Sequence, residues 1–296
     1  EMLKYCVRDV QITDKVYREL VPHLKMFSPR SIRLEHQIRA VIDQQERNGF
    51  QLNVKEAMLL MGRLSDEAEG IKNDLQKRFP PITEVRYSDK TGKRLKDKVT
   101  VFNPASRKQI AERLSELGWE PHAHTDKGHP IVSEDVLEKV NIPEAKLVAR
   151  YLLLEKRVSQ IKSWVEAADD EGKVHGRVLT LRTITGRMAH TSPNMAQVPA
   201  VYSPYGKECR NVWTTSSDTY RLLGCDASGL ELRCLAHYMN DSEFTREVIE
   251  GDVHTANQRA AGLPTRDNAK TFIYAFLYGA GASKIGKIVN GSSKDG

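Results

Sequence analysis

Residues Arg266 to Gly279 read RDNAKTFIYAFLYG, and the spacing inside that stretch decides how the rest of the chain is read. Arg266, Lys270, Tyr274 and Tyr278 follow one another at steps of four. On an α-helix each such step drifts only about 40° around the axis. The four side chains therefore form one slowly turning stripe, two cations followed by two aromatic rings. Cations suit phosphates; rings suit a base or a sugar. Such a helix can hold a nucleoside triphosphate lengthwise, since the rise from Arg266 to Tyr278 is roughly 18 Å. The same residues also read as a solvated cationic face, followed by an aromatic packing down before a C′ glycine.

A second stretch, Leu222 to His237 (LLGCDASGLELRCLAH), lies upstream. Leu222, Leu223 and Cys225 form a short apolar run that predicts a buried strand. Asp226 ends it, Ser228 and Gly229 turn the chain, and Leu232, Leu235 and Ala236 give a helix its core face. A carboxylate at a strand end beside a turn suits Mg²⁺, which takes one or two carboxylates plus water and substrate phosphates. Asp226 equally reads as a turn aspartate. Ser228 and Glu231 fit a capping box, with Glu231 bonding back to the Ser228 amide.

Together the two stretches resemble motifs A and B of family A DNA polymerases, the DNA polymerase I superfamily. Motif A there reads D-x-S-x-x-E-L-R, matched by Asp226, Ser228, Glu231, Leu232 and Arg233. Motif B reads R-x3-K-x7-Y-G, matched by Arg266, Lys270, Tyr278 and Gly279. TGRMAHTSPNMAQVP (Thr185 to Pro199) matches a third motif, and FNPAS (Phe102 to Ser106) is similar to the family's thumb tip. YCVRDV (Tyr5 to Val10) resembles the last motif of the attached 3′–5′ exonuclease. The five occur in the family's order over nearly the whole chain, with wording closest to bacteriophage replicative polymerases.

The resemblance implies template-directed DNA synthesis with dNTP and primer-template DNA as partners. Asp226 would ligate two catalytic Mg²⁺ ions and the Ala227 carbonyl one of them, clamping the attacking and leaving oxygens of an in-line displacement. Arg266 and Lys270 would hold the triphosphate. His254, in GDVHT, matches a histidine on the β-phosphate, although alone it reads as a helix-surface residue. Glu231 would exclude ribonucleotides at the sugar C2′. The Tyr274 hydroxyl would replace a missing 3′-hydroxyl, so weak discrimination against dideoxynucleotides is expected. Tyr278 would sit beside the templating base. Arg187, with Asn194 and Gln197 nearby, would reach the minor groove at the primer terminus, whose acceptors are nearly the same for every base pair. In the exonuclease remnant, Tyr5 would orient a water and Asp9 bind metal.

The fold class expected is α+β and mostly helical, a partial right-hand polymerase. The expected divisions are 1–28, the tail of the exonuclease domain; 29–168, thumb; 169–239, an incomplete palm; and 240–296, incomplete fingers. The chain's 296 residues suffice for about two domains. Lys+Arg 45 against Asp+Glu 39 gives +6, a mild basic excess that suits a nucleic-acid partner. Cys6, Cys209, Cys225 and Cys234 form no C-x2-C pair, so free buried thiols in a reducing compartment are expected, without zinc or disulfides. No signal peptide and no apolar run of about 18 residues occurs, so no membrane partner is expected. The expected location is cytoplasmic, in the bacterial host if the chain is phage-encoded.

Residues 1 to about 28 read as helical. A helix from Ser31, with Leu34, Ile38, Val41 and Ile42 on its apolar face, stops at Asn48-Gly49. Asn53 and Glu56 cap a longer one, with Ala57, Leu60, Met61, Leu64, Ala68, Ile71 and Leu75 on one face. The two are expected to pack antiparallel. YSDKTGKRLKDK (Tyr87 to Lys98) predicts a basic hairpin turning at Lys90 to Gly92, either a solvated loop or a phosphate contact. The phage member of the family that recruits thioredoxin carries a much longer insertion at this place, whereas the gap here is short, which makes thioredoxin a doubtful partner. Short helices follow within 102–119 and 130–140. A long helix over Glu144 to Ala168 carries Leu147, Tyr151, Leu154, Val158, Ile161 and Val165 inward. Lys156 and Arg157 on it read as DNA contacts or as plain surface. Strands are expected within Lys173 to Arg187.

The family's second catalytic aspartate sits in a His-Asp pair beyond motif B, and no His-Asp dipeptide occurs in the sequence. The exonuclease motif likewise lacks its partner carboxylates. The chain is therefore expected to be an internal piece of a longer polymerase, inactive alone. A split polymerase completed by a second polypeptide, and a nonenzymatic primer-template-binding protein, are the other readings. Intact Asp226, Glu231, Arg266 and Lys270 argue against the last, because binding alone does not need all four.

Overall fold

The computed structural model describes residues 1–121, 123–125 and 127–289. It is mostly helical with short antiparallel strands, the α+β class expected, and divides into two compact units, Glu1–Leu222 and Leu223–Gly296.

In the first unit, α1 (Met2–Leu24) and α2 (Pro29–Asn48) come first. No residue of α1 is buried. Ser28 caps α2 by accepting the Ser31 N–H at 3.1 Å, and Pro29 fits the first helical position, so α2 starts two residues before Ser31. Of its expected apolar face only Ile42 is fully buried; Leu34 and Val41 are exposed. α2 ends at Gly49 with φ +63°, where a Cβ would also press within 2.8 Å of the His175 ring. Glycine is required there on both counts.

β1 (Phe50–Leu52) leads into α3 (Val54–Arg78), which Asn53 caps through the Glu56 N–H at 3.1 Å. The face expected of α3 is the buried one, with Ala57, Leu64, Ala68 and Leu75 at 2 % exposure or less. Its partner is α6 (Pro143–Ala167), whereas α2 was expected. The cause is β1, which takes the chain into a three-stranded sheet between α2 and α3. There β1 is central, antiparallel to β4 (Lys173–Val174) and to β7 (Trp213–Thr214), with Phe50 opposite Val174 and Leu52 opposite Trp213. β1 precedes α3 and β4 follows α6, while Arg78 at the end of α3 bonds Glu144 at the start of α6 at 3.0 Å. The two long helices are therefore antiparallel, each about 37 Å long.

Between them, β2 (Ile82–Glu84) and β3 (Lys98–Thr100) form the base of the predicted hairpin, which the Tyr87–Arg94 bridge extends toward a turn at Gly92. Phe102 packs on Phe79 with ring centroids 4.8 Å apart, and Ser106 caps α4 (Arg107–Glu116). After α5 (Glu134–Leu137), Trp164 of α6 meets Trp213 of β7 edge-on at 5.4 Å. These rings and the α3–α6 seam make one continuous core. Arg157 belongs to that core, not to a DNA-facing surface. It is 7 % exposed and donates to the Pro204 carbonyl and to Gln160 Oε1, because a buried guanidinium needs acceptors. Of the four cysteines only Cys209 is buried; Cys6, Cys225 and Cys234 are exposed, contrary to expectation, since each lies on an element face or segment that nothing described covers.

A two-stranded ladder, β5 (Arg177–Leu179) with β6 (Ala189–Thr191), then precedes a single 3₁₀ turn at Met195–Gln197 and α7 (Gly206–Asn211).

The second unit is a run of short helices: α8 (Leu230–Met239), α9 (Ser242–Glu250), α10 (Val253–Ala260), α11 (Arg266–Leu277) and α12 (Ala282–Ile288). Asp241, Asp252 and Thr265 cap α9, α10 and α11 in turn. α11 packs on both α10 and α12, and its Ala269 and Ala275 are buried.

Candidate active site

The stripe is borne by α11, as its spacing requires. Arg266 opens the helix, Lys270 and Tyr274 follow one turn apart, and Tyr278 is the residue that closes it. The close is a Schellman motif: Ala280 N–H bonds the Ala275 carbonyl and Gly279 N–H the Phe276 carbonyl, both at 2.9 Å. Gly279 sits at φ +72°, which explains the glycine after the tyrosine. Tyr278 is thereby held at a sharp helix end, half exposed.

Arg266 does not stand alone. Its Nε and Nη2 donate to the two oxygens of Asp252 at 2.8 and 3.1 Å. Asp252 also accepts from the His254 and Thr255 N–H groups and the Thr255 hydroxyl. The guanidinium, then the Thr255 hydroxyl, hold the Asp252 carboxyl well below the usual carboxylate range. Asp252 is a site residue the sequence reading missed. Its only signal is a capping position fourteen residues before Arg266, and the pairing exists only because α10 lies against α11.

His254 of α10 faces Tyr274 with ring centroids 6.1 Å apart. Burial, then the Arg266 and Lys270 charges, lowers its pKa and favours the neutral imidazole. Tyr274 is pushed up by burial first, then by Glu231, Tyr278 and Asp226. The Tyr278 hydroxyl donates to Glu231 Oε1 at 3.2 Å, joining the end of α11 to the first turn of α8.

Two local expectations fail here. Residues 222–225 form no strand: the segment is irregular, and Leu222 and Leu223 are 61 % and 95 % exposed. A strand needs a neighbour for its N–H and C=O groups, and none pairs with it among the described residues. The Ser228–Glu231 capping box is also absent. Gly229, in the left-handed region at φ +57°, takes the cap position with no side-chain bond, and Glu231 turns to Tyr278 instead.

Asp226 and Ala227 lie in that exposed irregular segment just before α8. A carboxylate and a backbone carbonyl are hard oxygen donors of the kind Mg²⁺ takes, provided substrate phosphates and water complete the shell. Among the described residues no three His, Cys, Asp or Glu side chains converge as a complete protein cage.

In the first unit, Arg187 stands in the exposed connection from β5 to β6, where Thr183 N–H and Oγ1 both bond its carbonyl. Asn194 caps the 3₁₀ turn by accepting the Ala196 N–H at 3.1 Å, and Gln197 ends that turn, its carbonyl held by Gln160. The three fall within eleven residues of sequence, on either side of β6. Tyr5 and Asp9 are exposed on α1, one turn apart.

A family model described as DNA polymerase family A matches residues 74–296. The chain belongs to that family. Over its whole length this family A chain is 34 % identical to the DNA-directed DNA polymerase of Escherichia phage T7, covering 54 % of that protein; the enzyme of Enterobacteria phage T3 gives the same figures. Thermostable DNA polymerase I of Thermus aquaticus is 31 % identical over 62 % of the chain and 24 % of its own length. The chain thus spans about half the length of the phage relatives it matches. Its fold is similar to the POL domain of Pol1 from M. smegmatis, solved in complex with DNA primer-template and dNTP. The TM-score there is 0.70 at 17 % identity, over 88 % of this chain and 45 % of that one. The fold is accordingly part of a polymerase domain.

Proposed function

We propose that this chain carries the nucleotide-binding and primer-template-binding parts of a DNA polymerase that transfers dNMP from dNTP to a primer 3′-hydroxyl. The Tyr278–Glu231 hydrogen bond carries the reading, because it joins motif A to motif B inside one unit. Asp226 and the Ala227 carbonyl would hold Mg²⁺, which supplies Lewis-acid activation of the attacking hydroxyl and charge neutralisation on the phosphates.

The chain's own residues do the rest. Arg266 and Lys270 bind triphosphate oxygens, the first by exchanging its Asp252 partner for phosphate. Neutral His254 offers an N–H donor without adding a third cation to the pair. Glu231, pinned by Tyr278, walls off the sugar C2′ side, and the Tyr274 hydroxyl meets the sugar C3′ side. Arg187, Asn194 and Gln197 meet the primer-template minor groove. Tyr5 and Asp9 would serve a 3′–5′ exonuclease. With no His-Asp dipeptide in the sequence, the second carboxylate of the metal pair would come from further polypeptide, whether continuous with this chain or separate.

The test is equilibrium binding of a fluorescent dNTP, with primer-template and Mg²⁺, to the chain and to its Arg266→Ala and Lys270→Ala variants. Binding lost in both variants supports the reading. Binding unchanged in both sinks it and leaves a nonenzymatic DNA-binding protein. Primer extension by the pure chain would refute the need for further polypeptide to complete the metal pair.

A further inference from the structure

Arg39 and Glu46 are seven residues apart on α2 and so share a face. Both reach one residue of β5, Val178. Arg39 Nη1 donates to the Val178 carbonyl at 2.9 Å, and Glu46 Oε1 accepts the Val178 N–H at 2.6 Å. Arg39 Nη2 also bonds Glu46 Oε2 at 2.9 Å, and Asp43 holds the same guanidinium from between them. An edge strand leaves a row of such backbone groups unpaired. Here an ion pair on a helix does what a neighbouring strand would do, satisfying both backbone groups of Val178. The other edge of β5 is taken by β6, with Val178 opposite His190. The connection between those two strands carries Thr185, Gly186 and Arg187.

The bonds to Val178 are the shape of a grip on the base of a two-stranded arm. A short ladder with one edge unheld is free to twist about its own axis. Fixing one residue through both its N–H and its C=O removes that freedom, and with it the range of directions open to the connection. His175 tightens the same anchor, since its Nδ1 lies 2.7 Å from the Glu46 carbonyl.

We propose that Arg39 and Glu46 are positioning residues, which aim the β5–β6 arm so that Arg187 meets primer-template DNA. This rests on the minor-groove role of Arg187 given above. Neither residue touches DNA; both act through Val178.

The experiment is fluorescence anisotropy of a labelled primer-template duplex with the full 296-residue chain, as a double-mutant cycle of Glu46→Met and Arg187→Ala. The expected result is that each single change weakens binding by roughly tenfold and that Glu46→Met adds little once Arg187 is gone, a coupling of interacting sites. Arg39→Met should behave as Glu46→Met does. Glu46→Gln keeps an acceptor for the Val178 N–H and should recover most of the affinity, which separates positioning from loss of fold. Losses that simply add, or an unchanged affinity in folded Glu46→Met while Arg187→Ala weakens binding, overturn the inference alone. No effect of Arg187→Ala overturns the reading of Arg187, and this inference with it.

Discussion

The Tyr278 hydroxyl donates a hydrogen bond to Glu231 Oε1 at 3.2 Å, so the closing residue of α11 and the first turn of α8 are held as one wall. A carboxylate restrained in this way, at the C2′ position proposed for it, resists displacement by an extra hydroxyl on a nucleotide sugar. Glu231→Ala in the complete polymerase should raise ribonucleotide incorporation relative to deoxyribonucleotide by about tenfold or more, the scale of one removed discriminating contact. The ratio of the two kcat/KM values reads this directly, and an unchanged ratio ends the role.

The Tyr274 hydroxyl is half-buried on the stripe, and its proton is kept by burial and by the neighbouring carboxylates. It is thus an O–H donor across the physiological range. Tyr274→Phe should make the polymerase reject dideoxynucleotides more strongly, by on the order of tenfold for one lost hydrogen bond. Single-nucleotide incorporation of ddNTP against dNTP measures it; equal ratios in the two enzymes would dismiss the idea.

Asp252 occupies the Arg266 guanidinium, so under the role proposed for Arg266 it would compete with triphosphate. Asparagine is as good a helix cap as aspartate but carries no charge. Asp252→Asn should therefore leave the melting temperature nearly unchanged while dNTP binds more tightly. Weaker binding with the fold intact would mean that Asp252 orients Arg266 instead of restraining it.

His175 lies between two acceptors, the Glu46 carbonyl at 2.7 Å and Asp169 Oδ2 at 3.0 Å. Satisfying both takes two N–H groups, which only the imidazolium has. The Asp169 bond first, then Glu46, raises the His175 pKa, while burial and, less strongly, Lys173 oppose. A histidine with a raised folded-state pKa stabilises fully below its ordinary value of about 6.5, and that contribution is lost as pH rises through the raised value. Denaturant midpoints should fall between about pH 6.5 and that higher value in the wild type. In His175→Gln the slope should flatten; an identical slope would place the titration elsewhere.

Leu64 is fully buried in the seam between α3 and α6. Leu64→Ala should cost roughly 2–5 kcal/mol of stability, the range for a leucine truncated inside a packed core. Chemical denaturation followed by far-UV circular dichroism checks it. A loss near zero would show that the α3–α6 pair is not the core.

The sequence by itself determined the helices and the buried faces of α3 and α6, because periodicity is a local property. Ala57, Leu64 and Leu75 are buried on α3 as their spacing requires, and Asn53 caps it. It determined the family too, since motif spacing is local, and it put Arg266, Lys270, Tyr274 and Tyr278 on one helix. What the tertiary structure decided is which element each face meets. α3 pairs with α6 and not with its neighbour α2, because β1 diverts the chain into a sheet. The apolar run at 222–225 forms no strand, since a ladder is made by two segments and among the described residues no other strand meets it. Glu231 turned from the predicted box to Tyr278, and Asp252 found Arg266 fourteen residues away. Both outcomes depend on how helices are brought together, and side chains that meet through packing leave no periodic trace in the chain.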